Sequence, residues 1–295
     1  MSPKIELLKP RDFGEIINDT FIFVRQNFKP LMKYFFIFSG FFLLAGGATS
    51  IIQQLKLLDI VNTRVNTNSY SYDPFAFLGL EFFLNIFFIW LEYISISATV
   101  LCYMNLYKQK RNTAPESDEM WGYFKFYFFR LLWASLICGI LMVIAFAFCV
   151  VPAFYFYPIF ALIPPIIVME NSSFGYAFSH SFKLIKDNWW VTFGSIIIIF
   201  IILYVASMVV VMPAAIINGI SIYSSLTRGG SASVIATVVT TILSQVAHVF
   251  YILPVITIGL CYFNLNESKE GTGLIDRISQ FGNINPDANA APEEY

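Results

Sequence analysis

Charge is what this sequence has least of. Only 13% of its 295 residues are Asp, Glu, Lys or Arg, about half the share found in an ordinary soluble domain. Hydrophobic residues make up 57%, and the mean hydropathy is +0.68. A chain of this length cannot hide so much apolar surface from water, so lipid must be its solvent over most of its length. With a net charge of −1 and no basic run, it offers nucleic acid nothing to bind. The four cysteines, at 102, 138, 149 and 261, lie in hydrophobic runs without CxxC spacing. That excludes a zinc ribbon and a secreted disulfide framework. Only two histidines are present, and HExxH, GxGD and a GxSxG nucleophile turn are all missing, which removes the usual signatures of membrane-embedded hydrolysis. No catalytic residue, cofactor or metal ligand is therefore expected, and the chain reads as a non-enzyme. The N-terminal stretch "MSPKIELLKPRDFGEIINDT" has no apolar h-region, so the first span is expected to direct its own insertion.

What is abundant is apolar sequence in membrane-length blocks. A helix needs about 20 apolar residues to cross a ~30 Å hydrocarbon core. Six segments qualify, at roughly 31–52, 76–106, 130–151, 153–169, 191–215 and 234–264. The expected fold is an all-α polytopic bundle of six transmembrane helices with amphipathic interfacial helices. Its parts are an N-terminus at 1–30, a membrane domain at 31–264 and an acidic tail at 265–295. Pro152, Pro158, Pro164 and Pro165 break the long run around the third and fourth spans into a hairpin. Five spans remain the alternative if 153–169 re-enters without crossing. Six spans place fifteen Lys and Arg residues on one side, including Lys4, Lys9, Arg11, Lys110, Arg130, Lys183 and Lys269. Only Lys56, Arg64 and Arg228 fall on the other. Lys and Arg favour cytoplasmic loops, so both termini are expected in the cytoplasm.

The chain also echoes itself. "FGEIINDTFIFVRQNF" (13–28) aligns with "FGYAFSHSFKLIKDNW" (174–189), and "CYMNLY" (102–107) aligns with "CYFNLN" (261–266). The separations are 161 and 159 residues. A weaker middle copy, "WGYFKFYFFRLL" (121–132), suggests three parallel units, each a helix followed by a hairpin. In the later copy Phe174, Phe178, Ser181, Phe182, Ile185 and Trp189 form an apolar stripe, with Lys183 and Lys186 on the polar side and Trp190 following. This pattern fits a helix lying at the interface, its aromatic rings at headgroup depth and its lysines toward anionic lipid. Membrane lipids are the expected partners, with other membrane or cytoplasmic proteins as further candidates.

Two stretches, "FGEIINDTFIFVRQNFKPLM" and "PPIIVMENSSFGYAFSHSFKLIKDNWW", carry a family resemblance. In the second, a proline-containing span ends in Glu170, and a helix that carries an aromatic-Ala pair followed by serines ("YAFSHS") ends in Trp. The order resembles a group of six-span bacterial membrane proteins of uncharacterised function, which includes the membrane domain fused to some glycerophosphodiester phosphodiesterases. The resemblance implies a bacterial inner-membrane location. It does not imply phosphodiesterase activity, because the catalytic barrel of the fused members has no counterpart here.

Polar groups inside the spans are the candidate site residues. Glu92 lies mid-span in "FFIWLEYISISATV", where a charge is costly and must face protein or water. Counted back from the matched cysteines, Glu92 is ten residues before Cys102 and His248 thirteen before Cys261. That places them within about 5 Å in depth. One reading is a Glu92–His248 pair; the other is a protonated Glu92 bonded to nearby backbone or hydroxyls. Ser244 shares a helix face with His248, an arrangement that reads as interhelical glue rather than a catalytic dyad. His180 is expected to be solvated or at lipid headgroups, and Glu81 and Glu170 to be structural. In the tail, "TGLIDRISQFG" suggests a short docking helix. Two classes of function remain. The preferred one is a scaffold or accessory acting through the cytoplasmic helices and tail. The alternative is a transporter or lipid-handling protein using a repeat interface around Glu92. That alternative expects polar residues converging from several spans and unwound backbone mid-span.

Overall fold

The computed structural model describes residues 4–67, 75, 78–110, 113–148, 150–228 and 231–271. These are helical almost throughout: α1 (Phe13–Thr67), α2 (Leu80–Gln109), α3 (Ser117–Phe148), α4 (Val150–Ala161), α5 (Ile163–Met169), α6 (Phe174–Ile185), α7 (Trp189–Arg228), α8 (Val234–Ala247), a 3₁₀ turn (His248–Tyr251) and α9 (Ile252–Glu270). Six stretches are long and apolar enough to cross a membrane: α1, α2, α3, α4 with α5, α7, and α8 through α9. The chain is a polytopic all-helical membrane protein.

Local chemistry sets the helix ends. Asp12 and Glu15 cap α1 reciprocally, Oδ1 of Asp12 accepting from the Glu15 N–H and Oε2 of Glu15 from the Asp12 N–H, which satisfies two donors that a helix start leaves open. Ser173 accepts from the Tyr176 N–H ahead of α6, and Ser233 from the Ala236 N–H ahead of α8. Gly271 closes α9 at a φ of 58°, a left-handed position that suits glycine.

Two boundaries differ from those expected. The segment 13–28 is not a separate interfacial helix; it runs without interruption through Pro30 into the first span, giving a 55-residue helix, about 82 Å long. A proline inside a helix weakens it locally, but Asn27, Leu31 and Tyr34 on either side are buried, and the helix continues through it. Only the later copy breaks, in the turn at Lys186–Asn188 between α6 and α7. The tail does not begin at 265 either: α9 continues to Glu270, with Leu265, Asn266 and Glu267 buried. The docking helix expected within 272–282 lies outside the described residues.

The fourth span is a full-length return. Arg130 Nη1 donates to Asn171 Oδ1 at 2.7 Å, so α4 and α5 run back along α3 from residue 150 to the level of residue 130. Apolar residues of α3 and α7 face outward, among them Trp133, Ile140, Val143, Ile201 and Val209, as lipid-contacting helices require. At the centre stand α2 and α9, whose matched segments are buried together: Cys102 and Cys261, Tyr103 and Tyr262, Leu106 and Leu265.

One end of the bundle gathers the N-terminal strap (residues 4–12), residues 105–110 and 113–117, the start of α6 and the end of α9. Two matched asparagines tie it together in mirrored fashion. Asn105 Nδ2 donates to the Val168 carbonyl at 2.8 Å, just ahead of α6, and Asn264 Oδ1 accepts from the Arg11 N–H at 2.7 Å, just ahead of α1. Replacing either with alanine orphans a buried backbone group. Each change is expected to cost about 1–3 kcal/mol, measurable as a lowered thermal midpoint of the purified protein in detergent.

Candidate functional site

The site begins with the carboxyl group of α2. Glu92 is 1% exposed, and both of its oxygens are engaged by the sixth span. Oε1 lies 3.0 Å from His248 Nδ1, and Oε2 accepts from Gln245 Nε2 at 2.9 Å. The Gln245 amide also donates to the Leu43 carbonyl of α1 at 3.1 Å. Three helices thus meet at one carboxyl group. Small residues make the approach possible: a Cβ on Gly46 would stand 3.2 Å from Glu92 Oε2 and one on Gly47 3.3 Å from Gln245 Cγ. Glycine is needed here for room rather than for backbone freedom.

The backbone loosens where His248 sits. Residues His248–Tyr251 form a 3₁₀ turn between α8 and α9. Pro254 has no N–H to give the carbonyl four residues back, and a short 3₁₀ stretch inside a long helix marks a point of reduced regularity. The His248 ring packs edge-on against Tyr251, which meets Tyr93 of α2 in the same manner.

Beside this junction opens a cleft of about 270 Å³. Ser50, Gln53 and Gln54 of α1, Asn85 and Ile89 of α2, Asn218 of α7, and a polar stripe of α8 line it. Ile89 is its one aliphatic lining residue. Gln245 and His248 form its floor, and Glu92 lies directly beneath them. Asn85 is held by donating to Ser50 Oγ at 2.6 Å, and Thr237 bonds Asn218 Oδ1 at 3.0 Å. By contrast, a cleft of about 530 Å³ between α3, α4 and α7 is lined almost wholly by apolar groups such as Phe146, Phe154 and Ile197, as lipid-facing grooves are.

The structure brings Glu92 and His248 together. It does not join them to the residues of the α6 helix, which belong to the other end. Phe174, Phe178 and Phe182 are half-buried. Their rings also meet protein, Phe178 lying 5.9 Å from Phe160 and Phe182 6.2 Å from Phe156. The fully buried residues of α6 are Ala177, Ser181, Leu184 and Ile185, of which Ser181 and Ile185 belong to the expected stripe. Lys183, Lys186 and Trp190 are exposed, while Trp189 stacks on Tyr155 and donates to its carbonyl. His180 stacks on Tyr176 and stands 3.6 Å from Glu170, which accepts from the Tyr262 hydroxyl. Ser244 donates to the Thr240 carbonyl at 2.9 Å rather than to His248. Among the described residues, no group of three or more His, Cys, Asp or Glu side chains is placed to hold a metal ion.

Most of the cleft was not anticipated, yet a signal existed. Thr237, Thr240, Thr241, Ser244, Gln245 and His248 recur at three- and four-residue steps, the spacing of one helix face. Asn85 likewise precedes Glu92 by two turns.

Comparison with models of protein families, with curated proteins and with solved structures finds no match to this chain.

Proposed function

We propose that this integral membrane protein passes a small polar solute through the cleft between its first and last helix pairs. The observation that carries the reading is a polar cleft ending on a buried carboxyl group at a mid-span helix break. Discontinuous helices and midplane polar sites at repeat interfaces are the recurring architecture of secondary transporters. A protein serving only as a scaffold has no need for polar side chains from four helices converging inside the bilayer, where each carries a desolvation cost. The scaffold reading rests on the cytoplasmic helices and the acidic tail, and the tail lies outside the described residues from 272 onward.

Two further elements belong to the same reading. The matched segments 13–28 and 174–189 bury the same positions: Ile16 and Ala177, Thr20 and Ser181, Phe23 and Leu184. With the mirrored asparagine contacts, this supports an internal duplication whose copies meet at α2 and α9. The Lys and Arg bias supports cytoplasmic termini, so the cleft mouth near Ser50 and Asn218 faces away from the cytoplasm. Location in a bacterial inner membrane rests on the motif resemblance of the 13–32 and 164–190 stretches.

Thiol labelling tests the central claim. In a cysteine-free background, Ser244→Cys should react with a water-soluble maleimide about tenfold faster than Ile242→Cys, since one unit of thiol pKa is tenfold in thiolate and an apolar setting raises that pKa. Ile242 is 48% exposed on the lipid side of the same helix. Equal rates at the two positions would mean that water does not reach the cleft floor, and the reading would fall.

A further inference from the structure

Hydrogen-bond accounting at the cleft floor indicates what the site takes, granting that the cleft admits solute. A hydroxyl has one proton to donate. Thr240, Thr241 and Ser244 each give theirs to a carbonyl of their own helix, at 2.8, 2.8 and 2.9 Å. Gln245 commits its amide nitrogen to Leu43 and Glu92. Its Oε1 has no hydrogen-bond partner among the described residues, although the residue is only 7% exposed. With Nδ1 at Glu92, His248 likewise has Nε2 without a partner among the described residues. The oxygens of Thr240, Thr241, Ser244 and Gln245 therefore offer the cleft lone pairs while their own donors are already engaged.

Charge points the same way. The cleft lining contains no Lys or Arg, and the Glu92 carboxyl lies directly behind the floor. Gln245 Oε1 is not sealed off from the cleft, so its lone pairs take their donor from whatever the cleft holds. We infer that the cleft is a binding site for a small monovalent cation bearing N–H donors, an ammonium or primary alkylammonium ion.

Competing ligands fit less well. Quaternary ammonium ions have no N–H and are held by aromatic faces, and no Phe, Tyr or Trp lines this cleft. Metal cations prefer several oxygen ligands arranged around them, whereas the acceptors counted at the floor lie on successive turns of α8 alone. An anion would meet lone pairs on the floor. Volume is no obstacle: about 270 Å³ equals roughly nine waters' share of the liquid, enough for a methylammonium ion with part of its hydration.

The test is calorimetric titration of the purified protein in detergent, at constant ionic strength, with methylammonium chloride against tetramethylammonium chloride and potassium chloride. Methylammonium should bind about tenfold or more tightly than either comparator, a difference of about 1.4 kcal/mol. Glu92→Gln keeps the side-chain shape and should weaken methylammonium about tenfold. Ser244→Ala and Thr241→Val each remove one acceptor without touching the Glu92–His248 contact, and each should weaken it several-fold, so the result does not hang on one variant folding. Equal affinity for tetramethylammonium, or methylammonium binding untouched by the three substitutions, would overturn the assignment. Binding of a neutral donor such as urea with the same dependence on Ser244 and Thr241 would also overturn it, yet leave solute passage standing. Failure of Ser244→Cys to label would remove both.

Discussion

Glu92→Ala is expected to lower the stability of the purified protein by about 3 kcal/mol, read as a depressed thermal midpoint in detergent. Three effects add. The His248 ring loses the partner 3.0 Å from Nδ1, Gln245 loses one of its two acceptors, and a void opens where Gly46 allowed α1 to approach. Hydrogen bonds between membrane helices average only about 0.6 kcal/mol in double-mutant cycles, so an ordinary pair would not justify this figure. Glu92 differs because it is itself buried and its loss takes the partner of His248 and one acceptor of Gln245 at once. Glu92→Gln keeps the shape and one acceptor oxygen, and should cost roughly 1 kcal/mol. The double variant Glu92→Leu, His248→Leu should regain part of the loss, because removing both partners is milder than stranding one. Strict additivity of the two single changes would show that the contact contributes no coupling.

That contact is also the clearest case of what the sequence made legible. Helical rise is fixed, so two side chains at known distances from matched, buried ends have a known relative depth. Cys102 and Cys261 provided those ends, and both are buried at the centre of the bundle. The six apolar blocks followed from hydropathy alone because lipid demands continuous helices. The rest of the cleft was hidden by the averaging that reveals a span. In "VIATVVTTILSQVAH" the Thr, Ser and Gln residues alternate with Val and Ile, so the mean stays apolar while one face is polar. The continuity of α1 was hidden for another reason. Pro30 resembles a boundary, and only the tertiary burial of Asn27, Leu31 and Tyr34 shows that packing overrides it. Lys and Arg counting, finally, treats every basic residue as solvated. It therefore missed the one that is buried among the described residues.

That residue is Arg11, and its loss is the second large effect expected. Its side chain has no exposure, and its guanidinium knots the N-terminal strap to the start of α1. Nε donates to Asp19 Oδ2 at 2.8 Å, Nη1 to the Leu7 and Lys9 carbonyls at 2.8 and 3.1 Å, and Nη2 to the Glu6 carbonyl. Arg11→Met keeps much of the volume and removes every one of these donors. Asp19 is then left with Lys9 alone, 3.3 Å away. Breaking a buried charge pair from one side costs about 3–5 kcal/mol. Part of that cost can be avoided by releasing the strap, which would expose Ile5 and Leu7, now buried. The expected result is therefore twofold: a lower thermal midpoint, and fast hydrogen exchange at residues 4–12 well below that midpoint, as local opening predicts. Arg11→Lys should recover only a fraction, since an ammonium cannot span Asp19 and the carbonyls as the planar fork does. Arg11→Met with Asp19→Leu should be more stable than Arg11→Met alone, because the stranded carboxylate is gone. If exchange at 4–12 stayed as slow as in the unaltered protein, the strap would be held by Ile5, Leu7 and the Asn264 contact, and the guanidinium knot would be dispensable.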